Sequence, residues 1–362
     1  MIPLLLALAP VLAINPRAVE STLELHGWGQ PARDEALDRV ASAVAERLAG
    51  DPDKVPPEGA YAQLRFVLEK ERISDALVYP FTVRHRDPQA VTDRLPSLLA
   101  RLDRQRPPTH YGLATHGRAE GLTTTVILVH RGFTLKQPLP RTMKSPARLS
   151  FRGELRSGYF RPRVLVAPPG GRAIRERPAW GEGQNVDVTL FFDDGPGRYG
   201  VELVADSQFG PVVLLNDQVY VDAEPPPLPV VPITAPTAAT RPDRALWERI
   251  NRARASRGVP PLIWHPTLAN AARDHARELA ASQQLSHLSP DSGWLETRLQ
   301  SHPGRWKRVA ENLAEAVDAE EALRAFMESP GHARNLLARH LTHVGVGVNG
   351  RFFAVAFAEV PE

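Results

Sequence analysis

The 362-residue chain has no cysteine. That absence removes disulfides, thiolate metal sites, cysteine nucleophiles and a lipid-modified N-terminal cysteine, so stability has to come from packing. No long hydrophobic run is present either: the apolar opening, MIPLLLALAPVLA over residues 1–13, falls short of the ~20 residues a membrane-spanning helix needs. Charge of one sign is also missing. Lys+Arg against Asp+Glu is 17 to 16 in residues 1–140, 11 to 10 in 141–222 and 15 to 14 in 243–362. Nucleic-acid binding concentrates Lys and Arg on one face, and with no segment basic that class is excluded. Neither a GxSxG elbow nor an HExxH zinc signature occurs.

What is there divides the chain. The opening stretch ends in Val11-Leu12-Ala13, a small-residue pattern suited to signal peptidase, and residues 1–18 read as a signal or N-terminal apolar segment. On that reading the protein is secreted, periplasmic or at the cell envelope. The alternative is a buried N-terminal strand or helix, which the missing Lys/Arg ahead of the apolar run favours. Seven prolines fall between Pro225 and Pro242, and residues 223–242 form a stiff linker because proline denies backbone donors to regular structure. Before it, residues 141–222 alternate in short segments (RLSFRGEL, RPRVLVA, VDVTLFF, RYGVELVA, PVVLLNDQVYV) broken by Gly/Pro turns, the rhythm of an Ig-like β-sandwich.

Residues 19–135 read as an α+β domain, with helices near 31–49 and 61–70 and a strand pair near 111–114 and 122–129. An internal comparison adds to this. Leu37, Ala41, Ala45 and Leu48 repeat the types and spacing of Leu268, Ala272, Ala276 and Leu279 on one helix face, LLAR recurs at 98–101 and 336–339, and His110-Tyr111-Gly112 parallels His343-Val344-Gly345. The spans from helix to strand are 75 and 77 residues, which predicts that the N-terminal domain is a degenerate copy of the C-terminal one; chance pairing of Leu/Ala helices is the alternative.

In residues 243–362, Asp243 is placed to cap a helix that carries Leu246, Ile250 and Ala253 and ends near Gly258, Thr267 the next to about Ser282, and Asp318 with Glu321 forms a capping box for a third. Ser329-Pro330 starts a fourth helix through Arg339, putting His332 on its first turn. Asn349-Gly350 predicts a tight hairpin between two final strands. NRARASRGVPPLIWHPTLANAARDHA, SH, AENLAEA, SPGHARNLL and HVGVGV follow in order. In that order they resemble bacterial members of the CAP superfamily (cysteine-rich secretory proteins, antigen 5, pathogenesis-related proteins), over about residues 243–362.

The resemblance implies an α/β/α sandwich with a shallow cleft lined by His287, Glu311 and His332. Glu328 is a weaker fourth member, one residue out of the family's position. Two imidazoles and a carboxylate suit Zn²⁺, with His287 and His332 as ligands, or Glu311 as base for a metal-bound water. Set against this is a structural cleft in which Glu311 or Asn312 bonds loop backbone. The helix start favours a neutral His332. His275, Trp247 and Trp264 read as packing, Asn251 and Arg254 as backbone binders. The functional expectation is an exported modular binding protein for a small ligand, lipid or envelope component. The alternative is a metal-assisted hydrolase of peptide or cell-wall polymer.

Overall fold

The computed structural model describes the chain except residues 1–13, 50–59, 101, 103–105, 120, 172–173, 180, 209, 228–240, 283–284, 290, 301–303 and 362. The apolar opening and most of the linker therefore lie outside the described residues. None of the described helices is long and apolar enough to cross a membrane. The chain forms two compact units, residues 1–73 with 77–131, and residues 74–76 with 132–362.

The first unit runs α1 (Pro16–Leu25), β1 (Ala32–Arg33), α2 (Glu35–Leu48), α3 (Ala60–Lys70), β2 (Leu77–His85), α4 (Gln89–Leu99), β3 (His110–Arg118) and β4 (Gly121–His130). Asn15 caps α1 ahead of Pro16, so regular structure begins inside the stretch expected to be leader and ends short of the expected boundary at 135. Asp34 caps α2 through the amides of Ala36 and Leu37. The sheet order is β1-β3-β4-β2, with β1 parallel to β3 and the other pairs antiparallel. Alternate residues of β4 are buried on opposite faces: Val126 and Leu128 pack with α1 and α4, Ile127 and Val129 with α2 and α3. Strand β2 and helices α1 and α4 were not read from sequence.

In the second unit β5 (Phe133–Leu135), β6 (Thr142–Met143), β7 (Ala147–Leu155), β8 (Phe160–Ala167), β9 (Arg175–Pro178), β10 (Asn185–Phe192), β11 (Gly197–Ser207) and β12 (Gly210–Val221) make two sheets. Their orders are β10-β7-β5 and β6-β12-β11-β8-β9, closed over one apolar core that includes Phe151, Phe192, Tyr199 and Val201. The sandwich thus starts eight residues before the expected boundary at 141, because Phe133 stacks on Phe151 and completes the smaller sheet.

The C-terminal part comprises α5 (Pro242–Ala255), β13 (Ile263–Trp264), α6 (Pro266–Ser282), α7 (Leu295–Gln300), β14 (Arg308–Glu315), α8 (Ala319–Glu328), α9 (Pro330–Leu337), β15 (His343–Asn349) and β16 (Phe352–Glu359). Asp243 and Thr267 are not caps: Pro242 and Pro266 each open their helix one residue earlier. The Nδ1 of His265 instead accepts from the Thr267 amide at 3.2 Å. Asp318 and Ser329 cap α8 and α9 as expected, and α9 ends at Leu337 rather than Arg339 because Ala338 turns to extended backbone. Gly350, at φ 57°, closes the β15–β16 hairpin.

The sheet order is β13-β15-β16-β14, with β13 parallel to β15 and the rest antiparallel. Phe353, Val355 and Phe357 of β16 pack with α5, α8 and α9, whereas Ala354, Ala356 and Ala358 pack with α6 and α7. Small residues on that second face bring α6 close. A Cβ on Gly345 would overlap the backbone of Leu268 and Ala269. In the first unit a Cβ on Gly112 would overlap Leu37 in the same way. Asn251 and Arg254 bind backbone: Asn251 pairs with Leu262, and the buried Arg254 donates to the carbonyls of Pro260, Leu336, Ala338 and Leu341. Trp247 and Trp264 meet edge to face and pack, partly buried, against the core.

Candidate functional site

Strand β14 carries the AEN motif and pairs with β16, so Glu311 lies opposite Ala356 and Asn312 opposite Val355. Successive strand residues point to opposite faces. Glu311 meets the loop after α6, while Asn312 meets α9, donating from Nδ2 to the His332 carbonyl at 2.9 Å. Asn335 in turn donates to Asn312 Oδ1 at 3.1 Å. Motif residues adjacent in sequence thus fasten two different elements to one strand.

Glu311 is buried and both its oxygens are engaged. Oε1 accepts from Arg298 Nη2, and Oε2 accepts from His287 Nδ1 at 2.9 Å, with His275 Nε2 at 3.9 Å. Burial alone would raise this carboxyl, but the hydrogen bond from His287 and the charge of Arg298 outweigh it and hold Glu311 below the ordinary carboxylate range. Arg298, whose side chain is 4% exposed, also donates to the carbonyls of Gly293 at 2.7 Å and His287 at 3.1 Å. It clamps the loop bearing His287 onto β14. His275, fully buried on α6, lies between two acceptors, Glu278 Oε2 at 3.0 Å and the Ser286 carbonyl at 2.8 Å.

His287 is 45% exposed at the side chain. Because Glu311 is an ionised acceptor, Nδ1 of His287 carries the proton of their hydrogen bond. His332 lies with its ring centroid 6.5 Å from that of His287 and 5.5 Å from the edge-on ring of Phe326. Desolvation, with the nearby His287 adding to it, pushes His332 down to about 3. The neutral ring expected from the helix start is thus reached chiefly through burial. Glu328 closes an ion pair with Arg198 of β11.

The structure therefore brings His287, Glu311 and His332 together, and turns Glu328 toward the sandwich. It adds Arg298, which sequence reasoning missed: a single arginine in an unassigned stretch carries no motif, and α7 is only six residues long. As a metal centre the donor set is short. Among the described residues no group of three His, Asp or Glu is arranged to hold an ion, and the one carboxylate at hand is already neutralised by a guanidinium. A closed zinc site needs four protein ligands and a catalytic one three, so these residues do not fit zinc.

Residues 247–351 match the model of the cysteine-rich secretory protein family, CAP. Two curated proteins of Bacillus subtilis strain 168 are similar. The uncharacterized protein YkwD is 30% identical over 115 residues, covering 32% of this chain and 45% of that protein. The uncharacterized membrane protein YlbC is 29% identical over 119 residues, covering 33% and 34%. The chain thus spans less than half the length of either. Among solved structures, an extracellular protein containing a SCP domain from Bacillus anthracis is 22% identical with a TM-score of 0.33, over 50% of this chain and 66% of that one.

Proposed function

We propose, starting from the match of residues 247–351 to the CAP family, that the C-terminal part is a binding module whose cleft takes a polar ligand between two imidazoles, His287 and His332. One observation carries this reading: both oxygens of Glu311 are committed, to Arg298 and to His287. A carboxylate so held is a positioning group. It fixes the His287 ring and leaves Nε2 to meet a hydroxyl or amide of the ligand, with neutral His332 alongside as donor or acceptor. A hydrolase would need Glu311 free to take a proton from water, which the Arg298 pair opposes.

The apolar residues 1–13 and the Pro-rich linker support an exported, modular protein working at the cell envelope or outside it. The ligand class is then the hydroxyl- and amide-rich polymer found there. The N-terminal unit reads as a degenerate copy of the same fold without the cleft. Strand order, strand senses and the faces taken by the helices agree in the two, as does the close approach of Gly112 to Leu37 and of Gly345 to Leu268. Thr109 and Thr342, each preceding the third strand, both pair their Oγ1 with the next histidine's Nδ1 at 2.9 Å. Through the register Gly112–Ile127–Pro80 against Gly345–Ala356–Glu311, the carboxylate's place is taken by Pro80. Val44, seven residues after Leu37, stands where His275 follows Leu268.

Titration calorimetry on the full chain tests the binding reading, with a soluble peptidoglycan digest and with Zn²⁺ as probes. The digest should bind, and His287→Ala and His332→Ala should each weaken it by tenfold or more. Submicromolar Zn²⁺ binding lost in both variants would establish the metal reading instead, and no binding of either probe would leave a purely structural cleft.

A further inference from the structure

The turn that carries His332 is held from outside its own domain. Glu202 lies in the middle of β11 and is 2% exposed. Its Oε1 accepts from the Ser329 hydroxyl at 2.9 Å and its Oε2 from the Gly331 amide at 2.8 Å. Ser329 is the N-cap of α9, and its Oγ accepts from the His332 amide at 3.4 Å. Because Ser329 spends its one proton on Glu202, a lone pair is left facing the His332 N–H. The carboxylate thus orients the cap and binds one of the first-turn amides itself, where the helix presents unpaired donors and the positive end of its dipole.

Four further features belong to the same contact. Gly200, two residues before Glu202, has no side chain where a Cβ would stand 2.8 Å from the Glu328 carbonyl and 3.0 Å from Pro330. A Cβ on Gly331 would stand 2.9 Å from Glu202 Oε2. Arg198, four residues before Glu202, takes Glu328, and Arg334 of α9 pairs with Glu176 of β9 at 3.2 Å. Two glycines, one on each side, let the backbones meet. The ion pairs flank the meeting point. A chance abutment of two domains would not supply a buried carboxylate with both oxygens matched to donors.

We infer that Glu202 is a positioning residue of the cleft, and that the β-sandwich is a structural part of the His332 wall rather than a spacer. Glu202 and Arg198 together hold Ser329 to His332 as a rigid turn, set the distance of the His332 ring from His287 and Phe326, and turn Glu328 away from the cleft. The inference uses the binding reading only to say why His332 must be held; its geometry needs no ligand.

The test uses the full chain with Glu202→Gln and Glu202→Ala, observed by NMR without added ligand. Glutamine keeps size and one acceptor but puts an NH₂ against one of the two donors. Exchange of the Gly331 amide should quicken by about tenfold in Glu202→Gln, the worth of one ordinary hydrogen bond. The His332 ring protons should lose part of the shift that the edge-on Phe326 ring imposes, while amides of β15 and β16 keep the parent's protection. Should Glu202→Ala fail to fold, the near-isosteric glutamine variant still reads both quantities. Parent-like Gly331 exchange and an unmoved His332 ring in Glu202→Gln would overturn the inference. If the ring moves and digest binding in the calorimetry is unchanged, the binding reading falls and this one stands.

Discussion

A carboxylate buried as deeply as Glu311 persists in its ionised form because Arg298 and His287 compensate it. Removing the charge from one side exposes what the other side costs. Glu311→Gln leaves the guanidinium of Arg298 buried without a counter-ion, and a loss of about 3–5 kcal/mol in urea unfolding is expected. Acid should act on both the carboxylate and His332. Glu311 is depressed in the folded state, so its contribution is complete above its ordinary value of 4.5 and is lost as pH falls through the folded one. His332 is lowered from 6.5 to about 3, so between those values the unfolded chain binds a proton that the folded chain does not, and stability falls as pH falls. Its share is about 1.4 kcal/mol per pH unit, the worth of one proton, where the unfolded ring is protonated and the folded one is not. His332→Gln should therefore flatten the stability profile from pH 6.5 to 4 by about that slope. That His287, Glu311 and His332 come together was legible because SH, AEN and SPGH are contiguous words. Arg298 was not, since its meaning lies in a partner 13 residues away across a loop.

At the level of elements, patterns with a local cause were readable and those with a distant cause were not. The Asp318 and Ser329 caps, the Asn349-Gly350 hairpin and the α2 and α6 stripes each rest on residues within a turn or two of one another. The openings of α5 and α6 were misread because polar residues one position inside the helix resemble caps until the proline before them is given its place at the first turn. Strand β14 escaped notice since Val309-Ala310-Glu311-Asn312 does not alternate; a buried carboxylate on one face and a buried amide on the other look like a loop. The two glycines beneath the helices give the element-scale test. Gly345→Ala must push α6 from its sheet, and Gly112→Ala must push α2 from the other. Each should cost about 3 kcal/mol or more, since the obstacle is backbone and cannot rotate away. Equal sensitivity at both sites, read from denaturation midpoints, is the outcome expected of one fold used twice. Indifference at Gly112 would speak against it.

For the whole molecule, alternation along the chain marked the sandwich, but nothing in a one-dimensional pattern announces that Glu202 reaches Ser329 across 127 residues. A glutamate in the middle of a strand looks like an outward-facing position. Its 2% exposure shows that another surface lies on it. The C-terminal part has its own apolar cores on both sheet faces. Expressed alone, residues 243–362 should therefore melt cooperatively, yet be less stable than residues 132–362 by about 1–3 kcal/mol, the hydrogen bonds from Ser329 and Gly331 to Glu202 having been exchanged for water. Equal stability in urea would mean that the sandwich merely rests against the turn.

On the binding reading, Glu311 is the orienting partner of His287 rather than a base or a metal ligand. The most direct measurement is the ring ¹⁵N spectrum of the full chain at neutral pH with His287 assigned. The predicted result is a His287 protonated at Nδ1, unchanged by added Zn²⁺, with that preference for Nδ1 lost in Glu311→Gln. A His287 protonated at Nε2 alone, or one that shifts on stoichiometric Zn²⁺, would contradict it.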